Sequence, residues 1–294
     1  MELVFVKMHG LGNDFVVMED MTEELELSAQ AVEWFCDRNF GIGADGLILV
    51  RPSTLPEADF FMLYYNSDGT VAEMCGNGIR CLAKYVVDHM LVPADQNTLT
   101  VETLGGIMPI TVTRSDDNLM HLATVDMGAP VLNPPAIPTG MRGDTDGSVV
   151  VSLPLETELG SYDVTPLSMG NPHCVLWVDD VETAPVYELG SLIENHPLFP
   201  NKTNVEFAQM VGKGTIRLRV WERGCGETLA CGTGACAAVV VASLTGRIDR
   251  SATVELPGGD LDITWADNDH VLMTGPAEEV FSGTMFVGED DSPE

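Results

Sequence analysis

The chain has 294 residues, 45% of them apolar, which is enough for two domains of about 150 residues, each with a sizeable core. Its 45 acidic and 14 basic side chains leave a net charge of −31, and a surface of that sign excludes nucleic acid and anionic membranes as partners. Regular apolar runs argue against disorder, so the acid excess reads as an adaptation of the whole surface to concentrated salt, where screening shortens the range of acid–acid repulsion.

The N-terminus, Met1 to Lys7, lacks a basic region followed by a long apolar run, and no apolar span reaches the roughly 18 residues of a membrane helix. The sequence predicts a strand over Leu3 to Met8, a polar turn over His9 to Phe15 and a strand over Val16 to Met18. Ser28 to Asp37 predicts a helix with Ala31, Val32, Phe35 and Cys36 as its buried stripe. The tight loop Gly41 to Gly46 precedes Leu47 to Val50; no helix follows, so it does not read as a dinucleotide loop. Phe60 to Tyr65 is a strand that delivers Asn66. A helix is expected from Cys75 to about Met90, then a hairpin made of 98–103 and 108–113, and a strand over Leu119 to Asp126.

The Pro-rich stretch Gly128 to Pro138 reads as a linker, and Gly140 to Gly147 as an exposed acidic loop. A second series then begins near Val149. It has strands at 162–167 and 174–178 about a turn holding Asn171 and His173, and a short helix at 188–194. Strands follow at 205–210 and 215–221, then a helix after Cys231, then strands at 252–256, 261–265 and 271–275. The tail from Glu289 on is expected to fray.

One motif occurs twice. Cys75-Gly76-Asn77-Gly78 and Cys231-Gly232-Thr233-Gly234 each open an expected helix; Asn66 lies nine residues before the first cysteine and Glu222 nine before the second. Asn13 precedes Cys75 by 62 residues and Asn171 precedes Cys231 by 60. The chain reads as two diverged copies of one α+β unit, each a curved sheet or barrel wrapped round a central helix. A thiol at a helix N-terminus meets free N–H groups and a favourable field. Seven cysteines, an odd number, fit free thiols in a reducing cytoplasm. The spacings of Cys75/Cys81 and Cys225/Cys231/Cys236, five or six residues, do not match closed zinc pairs, so no metal is expected.

Two matched thiols suit inversion of a carbon that bears a hydrogen: one thiolate removes the proton from one face and one thiol supplies a proton to the other. The backbone N–H groups of Gly76, Asn77, Gly232 and Thr233 can hold the adjacent carboxylate while carbanion charge develops. None of the four lysines lies in a loop resembling a pyridoxal phosphate site. The residues thus read as a racemase or epimerase that needs no cofactor.

The chain resembles the diaminopimelate epimerase family over nearly its whole length. The resemblance is carried by His9-Gly10-Leu11-Gly12-Asn13-Asp14-Phe15, Asn66-x-Asp68-Gly69, Cys75-Gly76-Asn77-Gly78-x-Arg80-Cys81, Gly170-Asn171-Pro172-His173, Thr203-Asn204-Val205-x-Phe207 and Glu222-Arg223-Gly224-x-Gly226-Glu227-Thr228-x-Ala230-Cys231-Gly232-Thr233-Gly234. It implies interconversion of LL- and meso-diaminopimelate in lysine and cell-wall synthesis, with no cofactor. It implies two pseudo-symmetric domains, taken as 1–127 with 277–294 returning and 128–276, an active site in the cleft between them, and a homodimer. It also implies Cys75 and Cys231 as the acid/base pair, with Gly76-Asn77 and Gly232-Thr233 on the reacting carboxylate. Asn13, Asn66, Asn171, Asn204, Glu222 and Arg223 would contact substrate, with His173 and Glu222 supporting the thiols. Some members carry glutamine where this chain has Gly46, so one side-chain contact is absent or taken by water. Proline and hydroxyproline racemases are the nearest alternative, with histidine where this chain has Asn77 and aspartate where it has the run Glu222-Arg223-Gly224. A phenazine-synthesis isomerase of the same fold lacks the cysteine pair, and a silent amino-acid binding protein is the alternative of another class.

Overall fold

The computed structural model describes residues 2–137, 139–140, 149 and 151–286. The tail expected to fray from Glu289, and all but Gly140 of the expected acidic loop at 140–147, lie outside those residues. The chain divides into two compact units, residues 1–125 with 275–294, and residues 126–274.

In the first unit β1 (Glu2–Gly10) and β2 (Asn13–Glu19) form a hairpin. The expected seven-residue turn is only Leu11 and Gly12; both have positive φ, +57° and +83°, as a two-residue turn of the primed type requires. Asn13 therefore opens a strand and pairs with Gly10. Helix α1 (Ala29–Cys36) is capped by the Ser28 hydroxyl, which accepts from the Ala31 amide at 3.1 Å. The chain continues as β3 (Gly46–Pro52), β4 (Phe60–Asn66), the short β5 (Val71–Ala72), α2 (Gly76–Asp88), β6 (Thr98–Thr103), β7 (Gly106–Arg114) and β8 (Met120–Asp126). β2 runs parallel to β3, β3 antiparallel to β4, and β4 parallel to β6.

Strand β3 shows why its whole run is apolar. Leu47 and Leu49 face α1 in a cluster with Val16, Met18, Val32 and Phe35, while Ile48 faces the other way. A Cβ placed on Gly78 in α2 would meet the Ile48 Cδ1 at 3.0 Å. A parallel pair covered on both faces reads as continuous hydrophobicity. Most of α2 is buried from Gly76 to Val87, including the side chain of Arg80.

The second unit repeats this order with β9 (Leu153–Thr157), β10 (Gly160–Ser168), β11 (Pro172–Trp177), α3 (Val186–Glu194), β12 (Asn204–Gly212), β13 (Thr215–Glu222), β14 (Gly226–Thr228), α4 (Gly232–Leu244), β15 (Ser251–Leu256), β16 (Gly259–Trp265) and β17 (Val271–Gly275). Here β11 runs parallel to β12, β12 antiparallel to β13, and β13 parallel to β15. Every residue of α4 from Gly234 to Ala242 is buried, and its alanines let the sheet approach closely. On the outer face α3 packs Val186, Leu189 and Ile193 against Phe207 and Trp221. The chain then returns to the first unit as β18 (Glu278–Phe286), antiparallel to β1.

Candidate active site

Each cysteine of the repeated motif is the N-cap of the central helix of its unit. Such a helix has no internal acceptor for its first amides, and those amides belong to Gly76 and Asn77 in α2 and to Gly232 and Thr233 in α4. The Cys75 sulfur accepts from the Gly78 amide at 3.4 Å and is half-buried; Cys231 is 3% exposed.

In the first unit Asn13 is the link to the thiol. Its Oδ1 accepts from the Cys75 thiol at 3.8 Å and from the Asn77 Nδ2 at 3.1 Å, and its Nδ2 donates to the Asp45 carboxylate at 2.9 Å. Asp45 in turn accepts from Arg38, which also grips Asp14 through two hydrogen bonds, with Lys7 beside it. Burial alone would raise the Asp14 carboxyl, but bonds from Arg38 and Lys7 outweigh it and hold that group well below the usual carboxylate range. On the other side of Asn77, Arg80 donates to the Asn77 Oδ1 and the Gly76 carbonyl at 2.9 Å each, and to the Pro276 carbonyl at 3.1 Å.

Asn66 sits at the end of β4, paired with Gly46, and its Nδ2 donates to the Thr70 hydroxyl at 3.0 Å. A side chain at position 46 would meet the Tyr64 ring and the Tyr65 carbonyl at 2.6 Å. Packing of Tyr64 therefore dictates glycine there.

In the second unit the link is Asn171. Its Nδ2 donates to the Thr233 hydroxyl at 3.5 Å, and that hydroxyl lies 3.6 Å from the Cys231 sulfur. Its Oδ1 faces the His173 Nε2 at 2.8 Å. His173 is not in the turn where the sequence suggested it; it pairs with Leu167 and Asn204 inside β11, with its ring fully buried. The Nδ1 of that ring lies 2.6 Å from Glu206, also fully buried, and the other Glu206 oxygen accepts from the Cys174 amide at 3.2 Å. Burial pushes the Glu206 carboxyl up, and His173 pulls it back. Cys231 is pushed well above the ordinary thiol range, by burial first and then by the charges of Glu222 and Glu206.

Asn204 uses both ends of its amide on backbone, donating to the Pro172 carbonyl and accepting from the Arg223 amide at 2.9 Å each. Arg223 is exposed, and Nη1 reaches the Asn201 carbonyl at 3.3 Å. Glu222 accepts from the Thr228 hydroxyl at 2.5 Å. Among the described residues no group of three or more His, Cys, Asp and Glu side chains could hold a metal ion.

Sequence reasoning missed Glu206, Arg80, Asp45 and Glu194, which steadies the loop beside Arg223 by accepting from the Gly224 amide and the Trp221 indole. Their signal was there: Glu206 and Arg80 are lone charges within apolar runs, facing a core rather than solvent.

The family described as diaminopimelate epimerase matches residues 5–133 and 165–280. Relatives of that name include those of Moorella thermoacetica, 52% identical over 95% of this chain and 98% of the relative, and Synechococcus elongatus, 49% identical over 97% and 99%. The Leptospira biflexa relative of the same name is 46% identical over 98% of this chain and 100% of its own. Two solved structures share the fold at 14% identity. One is a phenazine biosynthesis protein of the PhzF family from Bacillus anthracis, with a TM-score of 0.71 over 98% of this chain and 100% of that one. The other is a hydroxyproline epimerase from Agrobacterium vitis with bound trans-4-hydroxy-L-proline, with a TM-score of 0.68 over 96% and 92%. The α+β fold expected from the sequence stands.

Proposed function

The chain belongs to the diaminopimelate epimerase family, and we propose that it interconverts LL- and meso-2,6-diaminopimelate, using Cys75 and Cys231 as the two acid/base groups and no cofactor. The observation that carries this reading is the matched pair of thiols, each capping a helix whose first amides can hold a carboxylate. One cysteine, as the thiolate, removes the α-proton and the other, as the thiol, supplies a proton to the opposite face, so the stereocentre inverts, the first ends as thiol and the second as thiolate, and atoms and charge balance. Gly76-Asn77 and Gly232-Thr233 hold the α-carboxylate as negative charge develops beside it. The two halves, 1–127 with 277–294 and 128–276, supply one thiol each.

Asn13, Asn66, Asn171, Asn204, Glu222 and Arg223 serve the substrate, mainly at its distal amino-acid end. The Arg223 fork suits a carboxylate, and Asn204 contributes by fixing the Arg223 backbone. His173 and Glu222 support the thiols. The place in metabolism is lysine and peptidoglycan-precursor synthesis in the cytoplasm; among the described residues no helix is long and apolar enough to cross a membrane. A second copy of the chain is the expected partner, supported by Val4, Val280, Phe281 and Phe286 exposed on the adjacent strands β1 and β18. The acid excess suits high salt, and full stability in dilute buffer would oppose that part of the reading.

The test is incubation with LL-diaminopimelate in deuterium oxide at high salt, following chirality and α-deuterium together. Expected is meso product carrying deuterium; racemisation of proline at a comparable rate would end the reading.

A further inference from the structure

The last residue of α3, Glu194, is a buried carboxylate that the proton transfer does not use. Taking the functional reading above as its premise, we propose that Glu194 is a positioning residue for the distal end of the substrate: it ties together the two loops that present Asn204 and Arg223.

The sequence of α3 sets the approach. Gly190 and Tyr187 precede Glu194 by four and seven residues, so the three share one face of the helix. The Tyr187 ring meets the Trp221 indole edge to face, with centroids 5.1 Å apart. A Cβ at Gly190 would lie 2.7 Å from the Trp221 side chain, so glycine lets the helix come this close. The same contact brings the Trp221 Nε1 to the Glu194 Oε2, to which it donates at 2.7 Å.

The other oxygen, Oε1, reaches both loops. It accepts from the Gly224 amide at 3.1 Å, in the turn between β13 and β14 and directly after Arg223. It also accepts from the Lys202 ammonium at 3.1 Å, two residues before Asn204. An indole N–H, a backbone N–H and an ammonium can donate and cannot accept. Three such partners make Glu194 an acceptor at both oxygens, as a carboxylate is. Burial raises the Glu194 carboxyl, but the bonds from Trp221, Lys202 and Gly224 outweigh it and hold the group below its ordinary value.

Lys202 gives a second sign. Its φ is +59°, in the left-handed region that favours glycine. A lysine there bears the strain and supplies the ammonium that glycine would lack. The loops also meet directly: the Arg223 amide donates to the Asn204 Oδ1 at 2.9 Å. Arg223 is thus held at its own amide by Asn204 and at the next amide by Glu194, which leaves its guanidinium to meet a carboxylate.

The grip and its consequence can be read separately. In the ligand-free protein, hydrogen exchange of the Gly224 amide, followed by NMR, should quicken roughly tenfold in Glu194→Gln, because an amide side chain cannot accept from all three donors. KM for diaminopimelate should rise by a similar factor with kcat little changed. Glu194→Asp keeps the charge but is a methylene shorter, and should behave alike. Lys202→Met cuts one tie at an exposed side chain, outside the core, and should raise KM by a smaller factor. Arg223→Ala should itself raise KM, and Glu194→Gln should add little to it. Wild-type exchange at Gly224 in Glu194→Gln would overturn the proposal, as would a fall in kcat at unchanged KM, wild-type KM in Lys202→Met, or full additivity with Arg223→Ala. The Gly224 exchange needs no substrate, so a wild-type protein inert toward diaminopimelate would sink the functional reading while the grip itself stood.

Discussion

The two units have the same strand order and register, yet they support their thiols by opposite means. In the first, Phe15 pairs with Gly46 on β3, and Gly46 with Asn66 on β4; in the second, His173 pairs with Asn204 on β12, whose neighbour Val205 pairs with Trp221 on β13. Carried two residues along, the same register matches Ile48 with Glu206. A Cβ on Gly78 would meet Ile48 at 3.0 Å, and one on Gly234 would meet Glu206 at 3.0 Å. An apolar Phe–Ile floor under one helix start thus becomes a buried His–Glu pair under the other. Five residues after each cysteine the contrast reverses: the first helix carries the buried Arg80 and the second carries Cys236. Geometry is shared between the units and charge is not, so the two cysteines lie in different electrostatic surroundings.

The largest effect on stability is expected at Arg80. Arg80→Met leaves the Gly76 and Pro276 carbonyls and the Asn77 amide oxygen without this donor and should cost about 3–5 kcal/mol in chemical denaturation at high salt. A cost below about 1 kcal/mol would mean that the guanidinium is dispensable. Next comes the floor of the second unit. Glu206→Ile alone strands His173 and should cost about 3 kcal/mol, whereas His173→Phe with Glu206→Ile installs the first unit's pair and should come within about 1 kcal/mol of wild type or exceed it. The double variant should keep its fold and lose epimerisation; retained turnover would make the charged floor ornamental.

Acid should separate the units further. The folded Asp14 carboxyl titrates below its unfolded value, so its contribution is present above about pH 4 and is lost as pH falls below that. The stability difference between wild type and Asp14→Asn should therefore shrink steadily from pH 5 downward. A constant difference would show that the grip of Arg38 and Lys7 on Asp14 does not depend on charge. The smallest effect is on bystander thiols. Burial pushes Cys36 up to about 11 and Cys81 up to about 12, so at pH 8 an alkylating reagent should label the exposed Cys225 well before either.

The thiol loops were legible because the motif occurs twice at matched spacing, and local chemistry decides a helix start. The strand β18 was not: Glu278 to Phe286 shows no alternation, since most of it is exposed, and it forms by pairing with β1 from the far end of the chain. His173 read as a turn residue because Gly170, Asn171 and Pro172 precede it, but pairing with β10 and β12 draws it into a strand. Glu206 and Arg80 show the limit most sharply. A charge in an apolar run is visible, but the groups that satisfy it are not, because His173 is 33 residues from Glu206 and Pro276 is 196 from Arg80. Helix starts follow local sequence, whereas strand pairing and buried polar networks are decided by tertiary neighbours.

The central claim is that Cys75 and Cys231 serve opposite faces of one carbon. Stereospecific α-proton exchange, followed by NMR for Cys75→Ala, Cys231→Ala and wild type with LL- and meso-diaminopimelate supplied separately, tests it most directly. Neither variant should complete inversion, and each should retain exchange or elimination with one isomer, the two variants preferring opposite isomers. Full epimerisation by either variant, or the same stereochemical preference in both, would contradict it.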